Sequence, residues 1–267
     1  MAIGLIIIGD EILSGKRVDK HFSKAVELLS ARGMQLGWAE YLGDDPARIT
    51  ATLKRTLASD DIVFSFGGIG ATPDDHTRQC AAAALGVPLA LHPEAKVLIE
   101  QRIVEMAAAA GQDPRLEAPE NLHRLKMGEF PQGASIIPNP YNKIPGFSVK
   151  NMGAVGGHHF VPGFPVMAHP MVEWVLDTLY PHLFHQVAWQ EKAVYAYGSM
   201  ESTLTPLMEA VEIAFPLVKV FSLPSVGDAQ TRRHIELGVK GDPTQVAKAY
   251  EQLLAGLDRL EVEYKPL

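Results

Sequence analysis

The sequence contains 267 residues, of which 47% are hydrophobic and 21% are charged, and its formal net charge is −7. This is the composition of a globular protein with enough apolar side chains for a sizeable core, and the length suggests about two domains. The acidic balance argues against a nucleic-acid-binding protein, which usually carries a basic face. The single cysteine, Cys80, excludes an internal disulfide and indicates a reducing compartment, so we expect a cytoplasmic protein.

An apolar run occupies residues 2–9 near the N-terminus. No basic segment precedes it, and Asp10 and Glu11 follow it directly, so we expect a buried strand here and not a signal peptide. No stretch reaches the roughly 18 consecutive apolar residues of a membrane span. The sequence therefore predicts no association with a membrane.

The first 85 residues alternate strand-like apolar runs with amphipathic segments. Strands are predicted at residues 2–9, 34–43 and 61–66, and helices at residues 20–33, 44–59 and 77–85. Asp45 is the expected N-cap of the second helix, with Pro46 at its first position. This alternation favours a parallel sheet with helices on both faces.

The second half of the chain is less regular at first and then changes pattern. Helices are predicted at residues 92–111, 118–128 and 171–183, and residues 136–170 are dense in Pro and Gly, which indicates loops around one or two strands, one of them near residues 153–160. From about residue 184 the order becomes β-α-β-β-α, with strands at residues 186–198, 217–224 and 231–241 and helices at residues 201–215 and 242–260. This order favours a small α+β domain.

Acidic residues follow two of the predicted strands. The segment GDEILSG leaves the first strand and GGIGATPDD leaves the third, and together they supply four carboxylates, Asp10, Glu11, Asp74 and Asp75. Ligands of open parallel sheets lie beyond the carboxyl ends of the strands, so these side chains are expected to face one site. Carboxylates repel a phosphate unless a divalent cation lies between them, which suits Mg²⁺ or Mn²⁺.

Three glycines precede the second pair of carboxylates. Gly67, Gly68 and Gly70 allow positive φ and a close approach of a ligand to the backbone, whose N–H groups can form an anion-binding concavity. Arg78, one turn into the following helix, is placed to pair with a phosphate or with Asp74. The spacing matches neither a Walker A motif nor a complete GxGxxG, so a phosphate site is a hypothesis here.

Simpler interpretations stand beside the ligand site. Asp74 and Asp75 are also suited to cap the following helix, which would stabilise it by roughly 1 kcal/mol. Cys80 lies within an alanine-rich helical stretch typical of a core. His158 and His159 are adjacent, so on a strand they would point to opposite faces and would not form a metal pair.

With these motifs in place, the sequence resembles the molybdopterin-binding domain family of molybdenum cofactor biosynthesis, and within it the N-terminal part of competence/damage-inducible protein A. The resemblance rests on GDEILSG and FGGIGATPDDHTR, followed in order by NPYNKIPGF (residues 139–147) and VPGFP (residues 161–165). It covers roughly residues 1–182. Residues 184–267 resemble the small KH-like domain that follows in the same proteins, whereas the deamidase domain that often comes next is not expected.

The resemblance implies a three-layer α/β/α domain followed by a smaller α+β domain. It implies binding of molybdopterin or of a nucleotide containing a pyrophosphate, since similar proteins hydrolyse ADP-ribose or related dinucleotides and others adenylylate molybdopterin. The site residues implied by position are Asp10, Glu11, Ser14, Gly15, Asp19, Gly67, Gly68, Gly70, Thr72, Asp74, Asp75 and Arg78, with Asn139, Lys143 and Gly163 in the two later loops. Asp10, Asp74 and Asp75 are the implied metal ligands.

The sequence departs from the family pattern at three places. Lys20 and His21 stand where Thr-Asn is usual, residues 142–144 replace a small Gly-Thr-Ala loop, and Met167 stands where an acidic residue is usual. The departures at Lys143 and Met167 favour a module that binds without turnover. The retained aspartates, among them Asp10, favour an enzyme.

Together the residues and the resemblance predict metal-dependent binding, and hydrolysis, of a dinucleotide pyrophosphate such as ADP-ribose or FAD, with Glu11 as general base. The alternatives are a non-catalytic pterin- or nucleotide-binding module, a molybdopterin adenylyltransferase, and an interaction protein that works through its C-terminal domain. We expect a homo-oligomer. RNA is not an expected partner, because residues 184–267 carry eight basic and eleven acidic side chains and lack the GxxG clamp of RNA-binding KH domains.

Overall fold

The computed structural model describes residues 1–152, 156–186, 190–227 and 231–267. Within them the chain divides into two compact units, Met1–Phe184 and His185–Leu267. The first is built around a mostly parallel sheet with helices on both faces, and the second is an α+β unit with an antiparallel sheet. The predicted fold class is confirmed.

The helices and strands of the first unit follow one another in this order: β1 (Ile3–Ile8), α1 (Asp10–Leu13), α2 (His21–Ser30), β2 (Trp38–Leu42), α3 (Pro46–Leu57), β3 (Ile62–Phe66), α4 (Thr77–Leu85), β4 (Leu89–Leu91), α5 (Pro93–Ala109), α6 (Pro119–Leu125), β5 (Glu129–Pro131), β6 (Ser135–Ile137), β7 (Gly146–Lys150), β8 (Gly157–Val161) and α7 (Pro165–Leu179). The second unit contains β9 (Gln190–Tyr197), α8 (Glu201–Ala214), β10 (Val218–Ser225), β11 (His234–Gly241), α9 (Pro243–Arg259) and β12 (Glu263–Pro266). Short 3-10 helices lie at Lys126–Gly128 and Pro181–Leu183.

The central sheet of the first unit has the strand order β2-β1-β3-β8-β7-β6. The first four strands are parallel, and β7 and β6 add an antiparallel edge. Helices α2 and α7 pack on one face and α3 and α4 on the other, so every residue of β1 is buried. Because β1 and β3 are neighbours in register, the turns that follow them leave the same edge side by side.

Local signals place several helix ends correctly. The Asp45 carboxylate accepts hydrogen bonds from the N–H groups of Ala47 and Arg48 at 2.8 and 3.2 Å, as a capping residue should. Helix α7 is the main exception, since it begins at Pro165, six residues before its predicted start at residue 171. A proline at the first helical position loses no hydrogen bond, and Pro170 is accommodated within the same helix.

The second unit pairs its described strands in the order β10-β11-β9-β12. Apolar residues of α8 and α9 pack against this sheet. Strand β12 was not predicted from the sequence, and residues 187–189 of the predicted strand 186–198 lie outside the described residues, as do residues 153–155 of the strand expected near 153–160. Within the described ranges, no helix combines the length and apolarity that crossing a bilayer requires.

Candidate functional site

A cleft of about 400 Å³ opens in the first unit, where β1 and β3 end. Its walls are the turns after these two strands and the loops at residues 139–145 and 162–167. The predicted site residues that line it are Glu11, Gly67, Gly68, Gly70, Thr72, Asp74, Asp75, Asn139 and Gly163. The two quoted motifs and the two later loops therefore meet at one place.

The glycine-rich turn after β3 passes close to its surroundings. Gly67 has a φ of 99°, and a Cβ there would lie 2.4 Å from the carbonyl oxygen of Ile8. Gly68 has a φ of 68°, and its Cβ would lie 2.2 Å from the hydroxyl oxygen of Thr77. Only glycine fits both the backbone conformation and the space.

The same turn presents unpaired backbone donors. Gly67 donates its N–H to the Val161 carbonyl and Thr72 donates its N–H to Asp75. Between them, the N–H groups of residues 68–71 have no hydrogen-bond partner within the part of the chain that the structure describes. Unpaired N–H groups at a glycine-rich turn are typical of an anion-binding site.

The two aspartates that close the turn differ in their surroundings. Asp75 accepts hydrogen bonds from both the N–H (2.8 Å) and the hydroxyl of Thr72, so it holds the turn together. Asp74 is exposed, and hydrogen bonding from Thr72 keeps the pKa of Asp74 below its ordinary value. Neither carboxylate caps α4, which begins at Thr77 without a side-chain cap, so the helix-cap interpretation is wrong.

Asp10 belongs to a reciprocal pair that bridges the turns after β1 and β2. Its carboxylate accepts from the N–H of Asp44 at 3.2 Å, and the Asp44 carboxylate accepts from the N–H of Asp10 at 2.9 Å. Asp44, not Asp10, lines the cleft. Burial raises the pKa of Asp44, and the negative charges of Asp10, Glu11 and Asp74 raise it further.

The implied metal ligands do not form a ready-made cage. Across the described residues, no group of three or more His, Cys, Asp or Glu side chains is placed to hold a metal ion. Asp10 does not line the cleft, whereas Glu11, Asp44, Asp74 and Asp75 do, and of these Asp44 and Asp75 also accept hydrogen bonds from backbone N–H groups. Mg²⁺ is usually bound by one or two carboxylates together with water and substrate phosphates, and these rim carboxylates fit that mode.

Arg78 lies outside the cleft. Its guanidinium is buried and donates to the carbonyl oxygen of Gly70 at 2.6 Å and to those of Lys126 and Glu129. Burial lowers the pKa of Arg78. The side chain therefore ties the glycine-rich turn to the segment before β5 and does not reach a phosphate.

The other implied residues outside the cleft also have identifiable contacts. Asp19 accepts from the N–H groups of His21 (2.8 Å) and Phe22 (3.1 Å) and from the Tyr41 hydroxyl, so it caps the start of α2. The ammonium of Lys143 pairs with Glu105 on α5. Ser14 and Gly15 lie in the exposed turn after α1.

Asn139 lines the cleft and shapes one of its loops. Its side-chain amide donates to Asn142 Oδ1 at 2.8 Å and to the Ile144 carbonyl at 2.9 Å. Asn142 in turn approaches the Met167 sulfur at 3.2 Å. These contacts fix the wall at which the sequence departs from the family pattern.

Four lining residues carry chemistry that the sequence did not indicate: Arg17, His21, Asp44 and Phe164. Arg17 lies 4.0 Å from Glu11 and 5.8 Å from the centre of the Phe164 ring. His21 is 4% exposed, stacks on Phe66 with ring centres 4.5 Å apart, and places Nε2 3.2 Å from the Gly163 carbonyl oxygen. Among these four residues, only His21 stood out in the sequence, because the family usually has asparagine at its position.

Comparison with known proteins places this unit in a family. Residues 4–185 match the sequence-family model described as probable molybdopterin binding domain. A CinA-like protein of Anaeromyxobacter sp. (strain Fw109-5) is 34% identical over 180 residues, 66% of this chain and 40% of that protein. A CinA-like protein of Gloeobacter violaceus is 30% identical over 263 residues, 95% of this chain and 58% of that protein.

This chain therefore spans less than two thirds of the length of either relative. A crystal structure of the protein CinA, of unknown function, from Thermoplasma acidophilum aligns with a TM-score of 0.55 and 25% identity, covering 66% of this chain and 98% of that one. The family match extends over both cleft-forming motifs and both later loops. The chain belongs to the molybdopterin-binding domain family, and the relatives named above are CinA-like proteins.

Proposed function

We propose that the cleft binds a pterin or nucleotide through its phosphates, that the ligand is a dinucleotide pyrophosphate such as ADP-ribose or FAD, and that the protein hydrolyses it with a divalent cation. The observation that carries this proposal is the row of N–H groups at residues 68–71 that have no partner among the described residues, which lines the same cleft as four carboxylates. Such donors suit a phosphate. Carboxylates beside them suit a cation shared with that phosphate.

The negative charge of the cleft supports the binding of a cation. Its charged lining residues are Glu11, Asp44, Asp74, Asp75 and Arg17, so carboxylates outnumber the single guanidinium. An anionic pyrophosphate alone would be repelled at such a rim. Burial is the main cause of the raised pKa of Asp44, and the neighbouring carboxylates add to it, a repulsion that a divalent ion would relieve.

Glu11 is the proposed general base. In the described structure its carboxylate accepts no hydrogen bond, and its close partner is the Arg17 guanidinium at 4.0 Å. Glu11 would take a proton from a water molecule as the water oxygen attacks phosphorus, and the bond from that phosphorus to the bridging oxygen breaks. A bound Mg²⁺ or Mn²⁺ would supply charge neutralisation at the phosphoryl oxygens.

A binding module without turnover is the second candidate. It is favoured by Met167, which lines the cleft with a thioether at a position where the resemblance implies a carboxylate. Molybdopterin is then as suitable a ligand as a dinucleotide, since both carry phosphate. Turnover measurements separate the two candidates.

Thermal-shift and calorimetric titration with ADP-ribose, FAD and a pterin phosphate, each with and without Mg²⁺ or Mn²⁺, test the proposal. The ligand and the cation together should raise the melting temperature more than the sum of their separate effects, as linkage requires for a ternary complex. Asp74→Asn should reduce this gain, and the matched control Asp60→Asn, an exposed carboxylate that does not line the cleft, should not.

Glu11→Gln separates binding from hydrolysis. This variant should retain ligand affinity and lose phosphate release by about 100-fold or more, the usual contribution of a general base. Unchanged hydrolysis in Glu11→Gln would remove Glu11 from the mechanism. No stabilisation by any phosphate ligand, with or without a cation, would refute the proposed function.

A further inference from the structure

We infer that His21 is the hydrogen-bond acceptor that orients the ligand in the cleft, by receiving a hydroxyl or N–H group from the end of the ligand that carries no phosphate. This inference rests on the proposed function, because it takes the glycine-rich turn as the phosphate end. It adds a specificity-determining contact in the same cleft, beside the loop that carries Gly163.

The tautomer of His21 follows from its partner. Nε2 lies 3.2 Å from the carbonyl oxygen of Gly163, and a carbonyl oxygen can only accept a hydrogen bond. Nε2 must therefore carry the proton. In a neutral imidazole this leaves Nδ1 with a free lone pair, so Nδ1 is an acceptor.

The ring is held in one place. It stacks on Phe66 at an interplanar angle of 26°, and the edge of His169 meets it at 87° with ring centres 5.3 Å apart. His21 is 4% exposed, and burial lowers its pKa, which keeps the ring neutral. A rigid neutral ring gives Nδ1 a defined direction.

Nδ1 is buried and has no hydrogen-bond partner among the described residues. A buried acceptor without a partner is costly, because it has given up water without a replacement. His21 lines the cleft, and we assign the missing donor to a bound ligand. The same lone pair disfavours a phosphate oxygen at this position.

The chemical class of the ligand follows. The phosphates are assigned to the N–H groups of residues 68–71, and a sugar hydroxyl, an amino group or a ring N–H is assigned to His21. Nucleosides and pterins both carry such donors. A ligand without a donor at this end should bind more weakly.

Two substitutions at His21 isolate the acceptor. His21→Phe keeps a planar ring against Phe66 and deletes Nδ1, whereas His21→Asn places an amide oxygen close to the position of Nδ1. The matched control is His92→Phe, since His92 also has a buried Nδ1 without a partner and its ring lies near Phe130, but it does not line the cleft.

Calorimetric titration with ADP-ribose in the presence of Mg²⁺ is the binding test. His21→Phe should raise the Kd about three- to tenfold, the usual effect of deleting one hydrogen bond, and His21→Asn and His92→Phe should stay within about twofold of wild type. If the wild type binds ADP-ribose and His21→Phe binds it with the same Kd, the inference about His21 is refuted and the proposed function still stands. Failure of the wild type to bind ADP-ribose with any cation would refute the proposed function and, with it, this assignment.

The tautomer supplies a readout that needs no ligand. Nitrogen NMR of the ¹⁵N-labelled full chain should show His21 with Nε2 protonated and Nδ1 bare, and Nδ1 should shift when ADP-ribose and Mg²⁺ are added. A proton on Nδ1 in the free protein would overturn the inference. An Nδ1 resonance that does not shift when ADP-ribose binds would also overturn the inference.

Discussion

Gly67→Ala tests whether the close approach of the glycine-rich turn to β1 builds the site. The φ of Gly67 is 99°, and an alanine Cβ would lie 2.4 Å from the Ile8 carbonyl oxygen. A residue with a Cβ pays about 1–2 kcal/mol for a positive φ, and overpacking against fixed atoms adds about 1–3 kcal/mol. Gly133 is the matched control, since its φ is 89° and nothing lies within 4 Å of its Cβ position.

The two variants are compared by thermal unfolding and by ADP-ribose titration. The additional 1–3 kcal/mol should lower the melting temperature of Gly67→Ala by about 2–12 °C relative to Gly133→Ala. ADP-ribose binding should be lost in Gly67→Ala alone, because the Ile8 contact forces the turn to move. Equal melting temperatures and equal affinities in the two variants would refute the close-approach argument.

Three other predictions follow from buried or paired side chains. Burial lowers the pKa of both His158 and His159 from 6.5 to about 3, so the unfolded state binds more protons between these values, and stability is lost as the pH falls below 6.5. The loss should reach about 2 kcal/mol per histidine at about pH 5, and equal urea midpoints at about pH 7.5 and 5 would contradict it. Arg78→Met, which removes the donor to three backbone carbonyls, should lower the free energy of unfolding by about 2–4 kcal/mol; a fully stable variant would show that these bonds contribute little. Lys143→Thr should leave ADP-ribose affinity unchanged, because Lys143 pairs with Glu105. Weaker binding by this variant would show that Lys143 contributes to the ligand site.

The sequence predicts those parts of the fold whose causes are local. Asp45 and Pro46 predict the start of α3, because the capping by Asp45 and the fixed φ of Pro46 both act within one helical turn. Gly67 and Gly68 mark the tight turn because no other residue fits their conformation. The start of α7 was missed because Pro165, like other prolines, is equally suited to a loop and to a first helical turn.

The contents of the cleft depend on contacts between residues far apart in the chain. His21 meets Gly163 across 142 residues, and Asp44 joins Asp10 through a reciprocal pair that no motif contains. Arg78 looked suitable for a phosphate because its charge was visible in the sequence and its burial was not. Spacing therefore locates the turn and its carboxylates, whereas packing decides which charged side chains reach the cleft.

The most direct test of the phosphate site is the amide NMR spectrum of the ¹⁵N-labelled protein, recorded while ADP-ribose is added in the presence of Mg²⁺. The backbone N–H groups of residues 68–71 have no partner among the described residues, so they should move more than any other amides of the first unit. The shifts should saturate with the calorimetric Kd and weaken in Asp74→Asn. Saturable binding that leaves the amides of residues 68–71 in place would contradict the account.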